Sequence, residues 1–287
     1  MNELPTPTMP LSVIELSRGS LHRRDGAVDG SLRQENSQVA YEAVWAKHLD
    51  EVRLAQKLRY EVFAGEMGAR LDNSLNTQHP GHDIDLFDDY CEHLLVREVN
   101  SGMVVGTYRL LTPTQAKRAG GFYTETEFDL TRLRSMRSQM VELGRSCVHA
   151  DHRSGGVILT LWSALAQFMN RNALQTMVGC ASIPMNTSTV AGASAADVAA
   201  SIWARLKDKH LAEVDVHVRA RLPLPLEQLR NDLDVEPPAL IKGYLRLGAK
   251  LLGAPAWDPD FNTADLPILM RMSDLPARYR KHFAAEH

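Results

Sequence analysis

Met140-Val-Glu-Leu-Gly-Arg-Ser-Cys-Val-His-Ala-Asp-His-Arg-Ser-Gly-Gly156 is the stretch on which the reading of this chain turns. Its first half has the apolar content of a buried strand. Its second half is a polar turn closed by two glycines, and a long apolar run starts at Val157. Glu142 and Arg145 lie inside the strand, where a charge is costly unless it is paired or used. The helix that starts after Gly155-Gly156 leaves its first backbone N–H groups without partners inside the helix, a ready anion site. A strand, an anion-binding turn and a helix in that order suit an α/β fold in which this strand is central.

Outward from that stretch, Ile158, Leu161, Trp162, Leu165, Phe168 and Met169 recur at helical spacing, so a helix is predicted over about 157–172. A strand at about 174–182 follows, parallel to the first because a helix joins them. Upstream, about 38–47 suits a first strand and about 50–67 a helix with Leu54, Leu58 and Val62 as its buried stripe. Arg59 and Phe63 lie four apart beside that stripe. Residues 68–92 form a long acid-rich loop with His79, His82, Asp83, Asp85 and Asp88, and a loop this long tends to be functional. Two strands, about 93–99 and 103–111, flank the hairpin turn Asn100-Ser101-Gly102, with Arg109 a charge in an apolar strand. A crossover over about 113–133 leads back to the central strand. Downstream are an alanine-rich helix over about 194–209, a strand over about 212–219, a proline-rich connector over 222–238, a helix over about 239–252 stopped by Gly253 and Pro255, and a last strand over about 263–272. Pro267 would confine that strand to an edge or a bulge. Residues 1–37 lack periodicity and read as a poorly ordered leader, and 38–287 as one domain.

The totals exclude several classes. In 287 residues, 32 Lys and Arg against 35 Asp and Glu give a net charge of −3, so no nucleic-acid partner is indicated. No apolar run approaches the ~20 residues of a membrane span. Three scattered cysteines without a CxxC pair fit a reducing compartment and a cytoplasmic protein, with peripheral contact to the inner-membrane face left open.

The ordered motifs carry a resemblance. Leu58 to Phe63, Gly106-Thr107-Tyr108-Arg109-Leu110-Leu111 and Glu142-Leu143-Gly144-Arg145 resemble the autoinducer-synthase branch of the GNAT acyltransferase fold. Gly120 to Tyr123, Glu127 to Leu130, Glu142 to Val148, Arg153-Ser154-Gly155, Gly179-Cys180-Ala181-Ser182, Ile241 to Gly248 and Phe261-Asn262-Thr263 resemble the ornithine–acyl carrier protein N-acyltransferase family more closely. That resemblance implies an α/β GNAT-like fold, with a mixed central sheet, splayed strands four and five, and helices on both faces. It implies transfer of a fatty acyl group, 3-hydroxylated in that family, from acyl carrier protein to the α-amine of ornithine, giving lyso-ornithine lipid. It implies no tightly bound cofactor, since 4'-phosphopantetheine arrives on the carrier. Alternatives kept beside it are a synthase of N-acyl amino-acid or homoserine-lactone signals and a non-catalytic acyl-carrier-binding regulator. Residues 64 to 71 lack the aromatic found in the lactone makers. Arg153 to Ile158 meet the acetyl-CoA phosphate loop only in part.

Each candidate residue has two readings. Glu142 is either the base that frees the amine, directly or through a water, or the partner of Arg109 or Arg145. Strict alternation puts Glu142 and Arg145 on opposite faces, so a bulge near Gly144 is expected to bring them together. Arg109 and Arg145 orient acids or bind the acceptor carboxylate, or form a buried ion network. With Arg59 and Phe63 as further acceptor-side residues, Asp85 and Asp88 receive the ornithine side chain or form a solvated loop. Cys147 and Val148 offer backbone to the acyl donor, and Arg153, Ser154, Gly155 and Gly156 hold its phosphate. A nucleophilic Cys147 is set aside in favour of direct transfer, and His149 and His152 are read as turn residues. His79, His82, Asp83 and Asp85 make a poor metal set, so no metal is expected. Arg132, Arg134 and Arg137, with Arg153 and Arg171, are a basic patch for an acidic carrier protein or a merely solvated run. The Trp162 stripe is core or, in part, a tunnel wall.

Overall fold

The computed structural model describes residues 39–71, 77–186, 188, 190–277 and 279. The expected leader and Asp72 lie outside the described residues. One mixed sheet dominates, built from β1 (Tyr41–Trp45), β2 (Glu92–Glu98), β3 (Val104–Leu111), β5 (Met140–Val148), β6 (Thr176–Pro184), β10 (Thr263–Arg271) and β8 (Lys250–Leu251), in that spatial order, with β9 (Ala256–Asp258) also on β10. A small pair, β4 (Phe128–Asp129) and β7 (Arg219–Ala220), stands apart. The helices are α1 (Leu49–Tyr60), α2 (Pro113–Ala119), α3 (Thr124–Glu127), α4 (Gly156–Arg171), α5 (Ala195–His210) and α6 (Ala239–Arg246). The predicted fourth and fifth strands are β5 and β6.

Helices cover both faces of the sheet, as expected. On one face Leu161, Leu165 and Met169 of α4 share a core with Ala199 and Ile202 of α5 and Ile241 of α6. Helix α4 lies so close to the sheet that a Cβ on Gly106 would fall 2.4 Å from Val157 Cγ1. On the other face Val52, Ala55, Leu58, Val62 and Phe63 pack on Leu95 and Cys147. The predicted stripe holds at Leu58 and Val62 and fails at Leu54, which is exposed, while Ala55 and Arg59 point inward. Beyond Tyr60 the helix widens into a π-helical segment, Glu61–Glu66, a form often found at functional sites.

The central feature is a fork. Strands β5 and β6 run parallel and pair only from Met140↔Thr176 to Glu142↔Val178. Beyond that point β5 continues against β3 and β6 against β10. Between Thr107↔Cys147 and Arg109↔Gly144, three steps along β5 face two along β3. That extra residue is the expected bulge, with Arg145 in the left-handed region at φ 52°. At the crotch, a Cβ on Gly179 would sit 2.3 Å from the Leu143 carbonyl oxygen, so only glycine lets the strands approach before they part.

Three predicted elements differ. The strand over 212–219 is instead a 3-10 turn, Val214–Val216, followed by the two residues of β7. Ala212 N–H and Val218 N–H donate to Leu251 and Leu252 carbonyls, and the segment arches outward between these two points, leaving Val214 exposed. Helix α6 stops at Arg246 rather than near Leu252. Gly248, at φ 94°, closes it: Gly248 N–H donates to Leu245 O and Ala249 N–H to Tyr244 O, the paired bonds of a left-handed helix stop. Pro267 is neither on an edge nor at a bulge. Its carbonyl accepts from Leu252 N–H, so its missing N–H faces the same side, in the gap between β8 and β9, where no ladder bond is forfeited.

Candidate active site

Below the fork lies a cavity of about 180 Å³, with Glu142, Arg109, Arg145, Tyr108, Tyr123, Thr124, Cys180, Tyr244, Asp258, Phe261 and Asp265 in its lining. Strands β3, β5 and β6, the α2–α3 crossover, the β9–β10 corner, helix α6 and the π-helical segment all contribute to it. A smaller apolar pocket lies over β6 and β10, bounded by Met177, Gly179, Ile268 and Met270, and shares Tyr108, Leu143, Cys180 and Tyr244 with the main cavity.

Glu142 is 4% exposed and faces this cavity. Its carboxylate accepts from Tyr123 N–H (2.7 Å), Thr124 N–H (2.6 Å) and the Thr124 hydroxyl (2.5 Å). It forms no hydrogen bond with Arg109 or Arg145 among the described residues. Burial raises its pKa, and the donors from Thr124 and Tyr123 hold the rise back. It is a carboxylate anchored by neutral donors, with an elevated proton affinity, beside an empty space. Such a group can act as a general base.

The arginines serve a different structure. Arg59 donates to Asp83 Oδ2 (2.8 Å) and to both oxygens of Asp88 (2.9 Å each). Arg109 donates to Asp85 (2.6 Å) and Asp88 (2.9 Å), and Arg145 to Asp83 and Asp85 (3.1 Å each). Three arginines and three aspartates thus form one closed, neutral network. Burial opposes ionisation of Asp88, but Arg59 and Arg109 overcome it and hold the acid well below the usual carboxylate range. Asp85 is also lowered, as Arg109 and Arg145 outweigh burial. The Arg145 guanidinium is sandwiched between the Phe261 ring (4.5 Å to its centroid) and the Tyr123 ring (4.9 Å).

The predicted residues therefore separate by location. Glu142, Arg109, Arg145 and Phe63 line the cavity, and Phe63 meets Phe261 edge to face at 5.7 Å. Arg59 is wholly buried in the ion network and is absent from the cavity wall. Asp85 and Asp88 have spent their charge on arginines, which removes the reason to expect a substrate cation there. Cys147 points into the core under α1, away from the cavity, and burial pushes its thiol up. Val148 pairs with Gly106, and its carbonyl accepts from Arg153 Nε (3.0 Å). Arg153 also donates to Glu66 through Nη2 (2.7 Å). Ser154 leads into the turn; Gly155 caps α4 at φ 101°, and a Cβ on Gly156 would press on the Tyr41 ring at 3.0 Å. This glycine turn at the mouth of the fork, followed by a 16-residue helix, is suited to a phosphate. His79 contacts Arg53, and Asp83 and Asp85 are held by arginines, so those residues do not converge as a metal set. Arg137 pairs with Glu125, and Arg132 donates to the Val214 carbonyl. Trp162 packs on Gly243 and Tyr244 and is core.

Comparison with known proteins settles the family. An L-ornithine N(alpha)-acyltransferase of Brucella abortus is 35% identical over 251 residues, 82% of this chain and 85% of that protein. One from Rhodobacter capsulatus is 34% identical over 85% of this chain and 95% of its own length. The chain belongs to the L-ornithine N(alpha)-acyltransferase family. The acetyltransferase (GNAT) domain family matches residues 58–163, from the last turn of α1 to the first half of α4. A crystal structure of the AHL synthase LasI covers 82% of this chain and 91% of its own, at 15% identity and a TM-score of 0.45. This member of the L-ornithine N(alpha)-acyltransferase family is accordingly an acyltransferase with the GNAT-like fold. Among the described residues, no helix is long and apolar enough to cross a membrane.

Several contributors to the site went unread in the sequence. Tyr123 and Thr124 hold Glu142, and Asp258 and Asp265 line the far wall. Tyr123 belongs to the quoted Gly120 to Tyr123 motif, which was the available signal.

Proposed function

We propose that this enzyme moves a fatty acyl group, 3-hydroxylated in the form the family resemblance implies, from the 4'-phosphopantetheine thioester of acyl carrier protein to the α-amine of L-ornithine, giving lyso-ornithine lipid. The acceptor is supported by the names of the relatives. The observation that carries the reading is the fork: β5 and β6 part at Glu142/Val178, directly beside a cavity lined by Glu142. A parted strand pair offers unpaired backbone to an extended amide-bearing arm, in the manner of an added strand.

The chemistry then needs a neutral amine, a polarised carbonyl and a proton for the departing thiolate. Glu142 takes the proton from the α-ammonium. The freed nitrogen attacks the thioester carbon and the C–N bond forms; as the C–S bond breaks, the nitrogen gives up its second proton and the sulfur gains one, and Glu142 returns its own proton to solvent. Tyr108 and Tyr244 share a hydrogen bond at 2.5 Å on the cavity wall. Burial raises both phenols, Tyr244 to about 12, so both stay protonated near neutrality and can relay the nitrogen's second proton to the departing sulfur. The turn from Arg153 to Gly156 receives the phosphate of the arm. No resident cofactor is required by this scheme, and work at the cytoplasmic face of the inner membrane belongs to the same reading.

The test is mass spectrometry of the purified protein incubated with 3-hydroxyacyl carrier protein and a mixture of amino acids, with 3-hydroxyacyl-CoA in a parallel arm. N-acyl-ornithine in the carrier-protein arm, abolished by Glu142→Gln with donor binding intact, is the expected result. Acylation of a different amine, release of a homoserine lactone, preference for the CoA donor, or no transfer would each overturn the corresponding part of the reading.

A further inference from the structure

The cavity has a second acidic group, and unlike the aspartates of the arginine network it has no ion pair with a cation among the described residues. Asp258 of β9 and Asp265 of β10 line the cavity at 8% and 4% exposure. Behind them, at the end of α3, is Glu127. Its two carboxylate oxygens are shielded from solvent and meet no donor group among the described residues, the Asp265 carboxyl being the hydrogen-bond partner once Glu127 holds a proton. Ligand atoms of Glu127, Cys180 and Asp265 all lie within 4.8 Å of one another. Asp265 accepts from the Thr263 hydroxyl (2.9 Å), and Asp258 from the N–H groups of Asp260 (2.8 Å) and Phe261 (3.0 Å), all neutral donors. The guanidinium closest in influence, Arg145, is already directed to Asp83 and Asp85.

Unpaired acids in a buried wall cost several kcal/mol each unless they hold protons or meet a cation. Burial, then Asp265 and Asp258, push the Glu127 acid up to about 10, so the empty cluster retains a proton at neutral pH. Two kinds of cation could replace it. A metal would call on the Cys180 sulfur as thiolate, but burial and the surrounding carboxylates push that thiol well up. An ammonium needs only acceptor oxygens and supplies N–H donors in several directions. The position also favours an ammonium. Cys180 Sγ contacts the Thr124 hydroxyl at 4.0 Å, and that hydroxyl bonds Glu142. The cluster is thus one hydroxyl and one thiol away from the proposed base, on the same cavity.

We propose that Asp258 and Asp265, backed by Glu127, receive the side-chain ammonium of the acceptor, so that the enzyme selects a diamino acid over a neutral one of the same length. This rests on the acceptor reading above and adds the residues that would enforce it. The α-amine lies at Glu142 and the second amine at the acidic corner, with the carbon chain between them.

The experiment is a competition: full-length protein, acyl carrier donor, and equimolar L-ornithine and L-norvaline, with the two products counted by mass spectrometry. Glu127→Gln, Asp258→Asn and Asp265→Asn are each compared with the parent. Losing one charge-assisted hydrogen bond should lower the ornithine-to-norvaline product ratio roughly 10- to 100-fold. Thermal melting of each variant identifies any that fail to fold, and Glu127→Gln, which removes an unpaired buried acid, is expected to melt no lower than the parent and so keeps the test readable. An unchanged ratio in folded variants overturns the inference. So does an ornithine preference that is lost with EDTA and restored by zinc, which would make this corner a metal site. A parent that transfers nothing to ornithine refutes the acceptor reading itself, a result distinct from an ornithine-active parent whose variants keep its selectivity.

Discussion

Replacing Asp88 by Asn tests whether the arginine–aspartate network is a closed charge balance. Asp88 is 6% exposed, and its oxygens accept from Gln56, Arg59 and Arg109. The amide keeps the shape and half of the accepting capacity but deletes one of three negative charges facing three positive ones. Arg59 retains Asp83 and Arg109 retains Asp85, so the loss is one uncompensated buried charge. Breaking one side of such a pair costs about 3–5 kcal/mol, a large fraction of the ~5–15 kcal/mol available to a folded domain. At about 2–4 °C per kcal/mol for a chain of this size, the melting temperature should fall by roughly 6–20 °C. Asp88→Asn combined with Arg59→Met restores neutrality and should recover much of the loss. Calorimetry and urea titration of the three proteins provide the measurement. The pH dependence has a definite sign. Because the Asp88 pKa is depressed on folding, its contribution is present above the unfolded value of about 3.9 and is lost as pH falls toward the folded one. The gap between parent and Asp88→Asn should therefore shrink on acidification. A single variant that loses under about 1 kcal/mol, the worth of an exposed pair, would refute the reasoning, as would a double variant no better than the two losses added.

Gly179→Ala should cost about 1–3 kcal/mol, the usual price of overpacking, because its Cβ meets the Leu143 carbonyl at 2.3 Å; it should also raise KM for the acyl donor by forcing the fork to open from its base, and a normal melting temperature with an unchanged donor KM would contradict this. Thr124→Val removes the hydroxyl that lowers the already raised Glu142 pKa. A base must be deprotonated, so the acidic limb of the pH–kcat/KM profile should move to higher pH, and an unmoved limb would argue that Glu142 is not the titrating group. Glu127→Gln should stabilise the protein without ornithine. The Glu127 pKa is raised on folding, so its contribution to stability is full below about 4.3 and is lost as pH rises toward about 10. Its advantage in melting temperature should grow across that window, and a variant equally or less stable at pH 8 would show that the acid has a partner.

The sequence was most legible where periodicity and local steric rules act. Leu161, Leu165 and Met169 mark α4 at helical spacing, and all are buried. The mismatch between Glu142 and Arg145 under simple alternation pointed to the bulge that Arg145 occupies. Reading failed where tertiary partners decide. Leu54 has the spacing of a stripe residue, but α1 turns Arg59 inward to meet Asp83 and Asp88, which rotates Leu54 to solvent. The 212–219 run alternates well, yet β8 accepts it only at its two ends. Glu127 sits in Thr-Glu-Thr-Glu, indistinguishable locally from a solvated turn, and its burial comes from docking against β6 and β10. Asp85 and Asp88 looked free because their arginine partners lie far off in sequence, on α1, β3 and β5.

The two acid groups of the cavity explain each other. Glu142 shares a wall with Arg109 and Arg145, and either guanidinium, if free, would pair with it and depress its pKa until it no longer took protons near neutrality. The aspartates of the 83–88 loop prevent that by claiming both arginines. Glu142 is left to backbone N–H groups and one hydroxyl, which fix its position without neutralising it. The same diversion keeps Arg145 from the Asp258–Asp265 corner, so that corner stays short of a cation. A neutral network on one side of the fork thus leaves a basic carboxylate at its centre and an unpaired acidic pocket on its far side. A molecule carrying two amines a short chain apart is complementary to both at once.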